Sequence, residues 1–146
     1  MTVLADLHAA CAALGTRLFT ITALDEGAGL HRRVYTSHPV EYPLMGTKPL
    51  DRDAWYEACI TARQIFVANA PTEFETLFFD HALITGLGLG ACANLPVQKD
   101  GMMRGTVNLL AEAGHFTPAR LSRYQALVMA VEPALAGALD VEGAPQ

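Results

Sequence analysis

The stretch from Leu89 to Leu110 has one ready conformation. Leu89 to Val97 and Met102 to Leu110 are two apolar-rich runs of strand length, separated only by Gln98-Lys99-Asp100-Gly101. Asp-Gly between such runs is the turn that closes an antiparallel hairpin, because both residues tolerate the positive φ that its twist requires. A chain with this hairpin builds an antiparallel sheet, and side-chain alternation decides the two faces. Pairing apolar with apolar puts Ala91, Ala93, Leu95 and Val97 on one face with Met103, Val107 and Leu109. The other face then carries Cys92, Asn94, Thr106 and Asn108. A one-residue slip would mix the two sets, so the buried face fixes the register.

The rest of the chain supplies a second hairpin and the layers that cover the sheet. Arg17 to Leu24 alternates, with Phe19, Ile21 and Ala23 on one side and Thr20 and Thr22 on the other. Asp25 to Gly29 supplies turn residues and Leu30 to Ser37 returns. The polar set of this hairpin reads Thr20, Thr22, Arg33, Tyr35 and Ser37. Ahead of it, Leu4, Leu7, Cys11 and Leu14 recur at helical spacing over residues 2 to 14, and Gly15 fits a helix stop. Near the other end, Thr117-Pro118 opens a long helix with a capping hydroxyl and a proline at the first helical position. Leu121, Tyr124, Val128, Val131 and Leu135 form its stripe, and Pro133 is expected to kink it or end its regular part.

Between the hairpins, His38 to Gly90 holds Pro39, Pro43, Pro49 and Pro71, the only Trp, and Phe66, Phe74, Phe78 and Phe79. Asp51 is the expected N-cap of a helix through Ala62, Ile65 to Val67 a short strand, and Thr72 the N-cap of a helix through Thr85. A connection of about fifty residues does not stay structureless inside a domain, and its aromatics need cover. The two terminal helices suit the aliphatic sheet face; the middle segment suits the polar one. The expected fold is α+β: an antiparallel sheet with N- and C-terminal helices on one face and a ligand-pocket segment on the other. It forms a single domain over residues 1–139, with a disordered tail over 140–146.

Composition bounds the function. With 146 residues, 51% hydrophobic and 17% charged, the chain has material for one core. A net charge of -5, a pI near 5.4 and no run of Lys or Arg offer little to a polyanion, so no nucleic-acid partner is expected. No apolar stretch approaches the roughly 20 residues of a membrane span. The N-terminal stretch carries Asp6 and His8 and lacks the basic start of a signal peptide. Cys11, Cys59 and Cys92 cannot form a closed disulfide set and have no metal-type spacing. The expected address is the cytoplasm, and neither a metal nor another cofactor is expected.

Several fragments together resemble a known family. Ala62-Arg63-Gln64 with Phe66-Val67-Ala68-Asn69 is similar to the short third strand of GAF domains, the small-molecule sensor fold related to PAS domains. Asn94-Leu95-Pro96-Val97 resembles the ending of their fourth strand, and Gly105-Thr106-Val107-Asn108-Leu109-Leu110 their fifth. His115-Phe116-Thr117 is similar to the opening of their last helix. The resemblance covers nearly the whole chain and implies a stand-alone sensory domain whose ligand lies between the sheet and the third-strand and helical connections. It also implies one enzymatic precedent, free methionine-(R)-sulfoxide reductase, which uses a thiolate and resolving thiols. Against that precedent, Cys11 lies on a core stripe, Cys59 is displaced and lacks the Gly-x-x-Cys-Gly context, and Cys92 is too close to Leu95-Pro96. The family's cyclic-nucleotide signature and its bilin-binding arrangement are also missing.

A partly covered polar face makes a cavity with convergent donors, the anatomy of a ligand pocket; plain solvation of that face is the alternative. The candidate ligand-binding residues are Arg33, Tyr35, Ser37, His38, Tyr42, Trp55, Cys92, Asn94, Thr106 and Asn108. Arg33, His38, Tyr42 and Lys48 gather in one segment near the expected mouth, and Arg and Lys suit carboxylates or phosphates, which points to a small anionic metabolite. Trp55 reads either as core or as pocket wall, and Asp80-His81 either as an acid-oriented imidazole or as a helix end. No Ser-His-Asp or paired-carboxylate constellation is legible. The expected function is non-catalytic small-molecule sensing; a dimerisation or interaction module and a thiol-dependent reductase are the alternatives. Leu4, Leu7, Leu14 and the stripe of the last helix leave more apolar surface than one copy covers, which predicts a homodimer through the terminal helices.

Overall fold

The computed structural model describes residues 2–142 and orders them as helix, hairpin, mixed connection, hairpin, helix. Helix α1 (Val3–Ala13) starts at Thr2, whose Oγ1 accepts from the Ala5 N–H at 3.1 Å. The chain leaves it through Gly15 at φ 111, where an added Cβ would lie 2.6 Å from His115 Cε1. Strands β1 (Leu18–Asp25) and β2 (Leu30–Thr36) form the first hairpin. Further along, the short strands β3 (Lys48–Pro49) and β4 (Phe66–Ala68) precede the second hairpin, β5 (Ala91–Lys99) and β6 (Met102–Ala111). Its turn has Asp100 at φ 54 and Gly101 at φ 75, the conformation that Asp-Gly predicts. β1 pairs with β6, giving a six-stranded antiparallel sheet in the order β3-β2-β1-β6-β5-β4.

One face of this sheet is aliphatic. Phe19, Ile21, Ala93, Leu95, Val107 and Leu109 meet Leu4, Leu7 and Cys11 of α1 and Tyr124, Val128, Leu135 and Leu139 of α4 (Pro118–Glu142). Each fully buried Leu, Ile or Phe contributes about 1.5–3 kcal/mol by leaving water, so this layer carries most of the stability. Leu4 and Leu7 are 6% and 3% exposed within the single chain. Their own sheet and α4 cover them, which removes the shortage of cover from which a dimer was expected. Pro133 does not end α4, which continues through it to Glu142. Residues 140–142, expected in a disordered tail, are helical; residues 143–146 lie outside the described residues.

The middle segment covers the opposite face but is built differently from the sequence expectation. Asp53, not Asp51, caps the first helix, its Oδ1 accepting from the Tyr56 N–H at 2.9 Å. This helix, α2 (Ala54–Tyr56), widens at once into a π-helical turn over Glu57–Thr61. β4 lies one residue later than Ile65 to Val67. In place of a helix from Thr72 to Thr85 there is a 3₁₀ turn at Pro71–Glu73 and a short helix α3 (His81–Gly86). Phe74 and Phe78, stacked with centroids 5.8 Å apart, instead join Leu18, Ala68, Cys92 and Leu110 in a second apolar cluster. Cover for those rings overrides local helix propensity. Arg63, at φ 59, ties the end of the π turn to both hairpin tips, pairing with Glu26 at 3.0 Å and donating to the Gly101 carbonyl at 2.8 Å.

Two bulges change which face certain residues reach. Ile21 pairs with Tyr35 but Thr22 pairs with Arg33, so Val34 is an extra residue in β2. Tyr35 therefore falls on the helix-covered face with Phe19 and Ile21, and is not part of the polar set where alternation placed it. Likewise Val97 pairs with Gly105 but Gln98 with Met103, which makes Arg104 the extra residue of β6. Met103 leaves the aliphatic face on which it was expected and packs with Tyr56 and Ile60 of the middle segment. Arg104 reaches α4, pairing with Asp140 at 3.1 Å.

Candidate functional site

A hydrogen-bonded row crosses the polar face of three strands. The Trp55 indole N–H donates to Asn94 Oδ1 at 3.0 Å, and Asn94 Nδ2 donates to Asn108 Oδ1 at 2.8 Å. Asn108 Nδ2 in turn donates to the hydroxyls of Thr20 and Thr22, each at 3.1 Å. Register places these residues side by side: Asn94 opposite Asn108, and Asn108 opposite Thr20. The direction of the row is set at one end, because an indole N–H can only donate. It fixes the Asn94 oxygen toward Trp55, hence the Asn94 amide nitrogen toward Asn108, and so on to the threonines. There the row stops. Among the hydrogen bonds of the described residues, both threonine hydroxyls accept and neither donates onward. The π turn serves this row too: the Cys59 thiol, four residues after Trp55, lies 3.8 Å from the Asn94 carbonyl oxygen.

The free end of the row borders a cavity of about 150 Å³. Thr20, Thr22, Asn94 and Asn108 line it from the sheet; Leu18, Cys92, Leu109 and Leu110 add apolar strand surface, and Phe78 and Ile84 close it from the middle segment. Three further residues line it: Arg33 and Asp80, which give it charge, and Tyr42. The Arg33 guanidinium sits over the Tyr42 ring, 5.2 Å from its centroid, and donates to the Pro43 carbonyl at 2.8 Å. Its Nε is buried and has no partner among the described residues, and burial pulls the group below its ordinary pKa while Tyr42 and Asp80 push it back up. The Tyr42 hydroxyl donates to Asp80 Oδ2 at 2.5 Å. Burial, then this bond, raise the Tyr42 pKa. A shallower groove of about 270 Å³ runs outside β2 between Arg32, Val34, Leu44 and Met45, with Arg33 common to both. The smaller cavity is the better candidate, because only there do several oriented polar groups converge.

Of the residues singled out from sequence, Arg33, Tyr42, Cys92, Asn94 and Asn108 line this cavity, and Trp55 stands behind it, bound to Asn94. Tyr35 does not: its hydroxyl is 2.7 Å from His8 Nδ1 of α1, on the far side of the sheet. Ser37 and His38 are also absent from the lining. The Ser37 hydroxyl accepts from the Phe19 N–H at 2.8 Å and lies 2.7 Å from His38 Nδ1, so the pair finishes the edge of the first hairpin. Thr106 is buried between Thr22 and Pro96 without reaching the lining. Asp80 was missed as a pocket residue; it enters through a contact with Tyr42, 38 positions away, which no local pattern announces. Thr20 and Thr22 had a visible signal, the alternation of β1, and were assigned only to the polar face.

The thiols are poor nucleophiles. Cys11, Cys59 and Cys92 are all buried, and burial pushes each up to about 12. A buried imidazole elsewhere has a structural task. The Thr16 hydroxyl donates to Tyr124 Oη at 2.9 Å, and that phenol oxygen lies 2.7 Å from His115 Nε2. Desolvation lowers the His115 pKa, with Arg120 adding to the effect. Among the described residues no three His, Cys, Asp or Glu side chains gather where a metal could sit, and no helix is long and apolar enough to cross a membrane.

No family model and no curated relative matches the sequence. Solved structures do match. The GAF domain of a two-component sensor histidine kinase from Bacillus halodurans is 10% identical and superposes with a TM-score of 0.75 over 97% of this chain and 96% of that one. A GAF domain/HD domain protein from Geobacter sulfurreducens is 14% identical, with a TM-score of 0.74 over 95% and 92%. A third, fRMsr of Staphylococcus aureus in complex with substrate, is 15% identical, with a TM-score of 0.58 over 90% and 83%.

Proposed function

We propose, from the premise that this chain has the fold of GAF domains, that it is a non-catalytic ligand-binding domain whose cavity receives the anionic group of a small metabolite. One observation carries the reading: the hydrogen-bonded row runs one way and ends on two hydroxyl protons in a cavity that Arg33 also lines. Two hydroxyl donors without a protein acceptor among the described residues share this cavity with a guanidinium, and a carboxylate or phosphate oxygen is what such a set binds. The cavity, about 150 Å³, holds roughly five waters' worth of liquid at ~30 Å³ each, well below the range of drug-sized sites. Its occupant is therefore a small metabolite. One of the matching structures is a domain of a two-component sensor histidine kinase, which favours a signalling role for the binding event. The high thiol pKa values argue against the reductase alternative.

The homodimer and the cytoplasmic address remain proposals. With Leu4 and Leu7 covered, the dimer rests on the outer side of α4, where Met129 is 64% exposed. Sedimentation velocity at tens of micromolar should show a dimer that Met129→Glu converts to monomer; a monomeric parent rejects it.

The pocket is tested by thermal shift and calorimetry against small carboxylates and phosphates. A ligand at 100 times its Kd stabilises the folded state by about 2.7 kcal/mol. Arg33→Ala should abolish that stabilisation while moving the melting temperature of the empty protein little. Failure of every small anion to stabilise the parent protein at millimolar concentration rejects the reading.

A further inference from the structure

The cavity holds a second charge that an anion alone does not answer. Arg33 and Asp80 are the charged residues of its lining, and no ion pair joins them. The ion pairs among the described residues are Arg63 with Glu26 and Arg104 with Asp140. Tyr42 stands between the two charges instead, its ring under the guanidinium and its hydroxyl on Asp80 Oδ2. Among the described residues that bond is the one hydrogen bond made by the Asp80 side chain, which leaves Oδ1 to accept from an occupant. The pocket thus has a donor end, made by Thr20, Thr22 and Arg33, and an acceptor end at Asp80. Leu18, Ile84 and Leu110 supply apolar wall.

Resting on the reading above, we propose that the occupant is a zwitterion of amino-acid size: an ammonium carboxylate with a short apolar side chain. In so small a space a plain anion meets the Asp80 carboxylate, and a plain amine meets the Arg33 guanidinium. Like charges disfavour either, and each would leave one end of the pocket unmatched. A molecule carrying one charge of each sign satisfies both ends and keeps the cavity neutral. The carboxylate takes the two threonine protons and faces the Arg33 guanidinium, and the ammonium donates to Asp80 Oδ1. The aliphatic part lies on the Leu18 and Ile84 wall.

Calorimetry of the whole chain with matched probes tests this. L-Valine, isovalerate and isobutylamine share one skeleton, as do L-alanine, propionate and ethylamine. In at least one set the amino acid should bind at least tenfold more tightly than its acid and its amine. Asp80→Asn keeps an acceptor for the Tyr42 hydroxyl, so it should fold, as a thermal melt checks. It should remove the amino acid's advantage without weakening the acid. Equal binding of acid and amino acid, or an Asp80→Asn variant whose amino-acid affinity stays within twofold of the parent, overturns the inference. Binding of the acid alone that Arg33→Ala abolishes overturns it while sparing the anion pocket. Binding of no probe in either set overturns it as well, and the thermal-shift panel then decides the pocket itself.

Discussion

Arg33 and Tyr35, two positions apart on β2, face opposite sides of the sheet: the guanidinium lines the cavity and the phenol meets His8 of α1. In a regular strand residues i and i+2 share a face; the extra Val34 breaks that parity. Tyr35→Phe should therefore leave ligand affinity unchanged, since nothing of Tyr35 enters the pocket. Loss of its bond to His8 should lower stability by about 0.5–1.5 kcal/mol in urea titrations. A large affinity loss with unchanged stability would put Tyr35 back at the ligand.

The row that ends on Thr20 and Thr22 depends on its far end. Trp55→Phe keeps the ring's bulk but removes the donor that orients Asn94. It should cost about 1–3 kcal/mol, because a buried amide oxygen loses its partner. It should also weaken ligand binding several-fold, although Trp55 does not line the cavity. Calorimetry and a melt on the same variant check both.

Gly105 sits on β6 where β1 and α4 leave no room for a side chain. A methyl group there would lie 2.2 Å from the Thr22 carbonyl oxygen and 2.8 Å from Leu139 Cδ1. Backbone cannot yield as a side chain tip can, so Gly105→Ala should destabilise by at least about 1–3 kcal/mol, the cost of overpacking. Because Thr22 must shift, ligand affinity should fall in whatever fraction still folds.

Three histidines make stability fall with acid. His8, His31 and His115 all have pKa values lowered from 6.5, in each case first by burial. Between the folded value and 6.5 the unfolded chain binds more protons than the folded one, so folding stability rises with pH through that window. Their contribution is complete above 6.5 and lost as pH drops below it. Urea midpoints at pH 7.5, 6.0 and 5.0 should decline in that order, and His115→Phe should flatten part of the slope.

The thiols should be silent in the native protein. At about 12 for all three, roughly one thiol in ten thousand is ionised at pH 8, and the thiolate is the reactive form. A colorimetric disulfide reagent should react slowly until denaturant is added and then titrate three groups. No turnover of free methionine sulfoxide above a no-protein control is expected.

Which parts were legible in the sequence follows from what kind of pattern encodes them. The alternation of β1 and the Asp100-Gly101 turn are local, and they give the sheet, its faces and the two covering layers. Bulges are harder. Gly105 inside a strand is a recognised mark of one, and the extra residue of β6 is its neighbour Arg104. Val34 has no such mark, so Tyr35 was assigned to the wrong face. Asp51 and Asp53 are equivalent caps by type, and only the reach of Asp53 to the Tyr56 N–H separates them. The acceptor end of the pocket was invisible for a different reason. Asp80 joins it through Tyr42, and a contact between two connecting segments leaves no periodicity to read.

Trp55 is the single tryptophan of the chain, and its N–H begins the row whose last members touch the cavity. Hydrogen bonds in series polarise one another, so an occupant that draws the threonine protons also alters the field at the indole. The protein thus contains its own optical gauge: its ultraviolet emission should change colour as the cavity fills, with no label attached. That change should vanish in Asn94→Ala, where the fluorophore is kept and the wire behind it is cut.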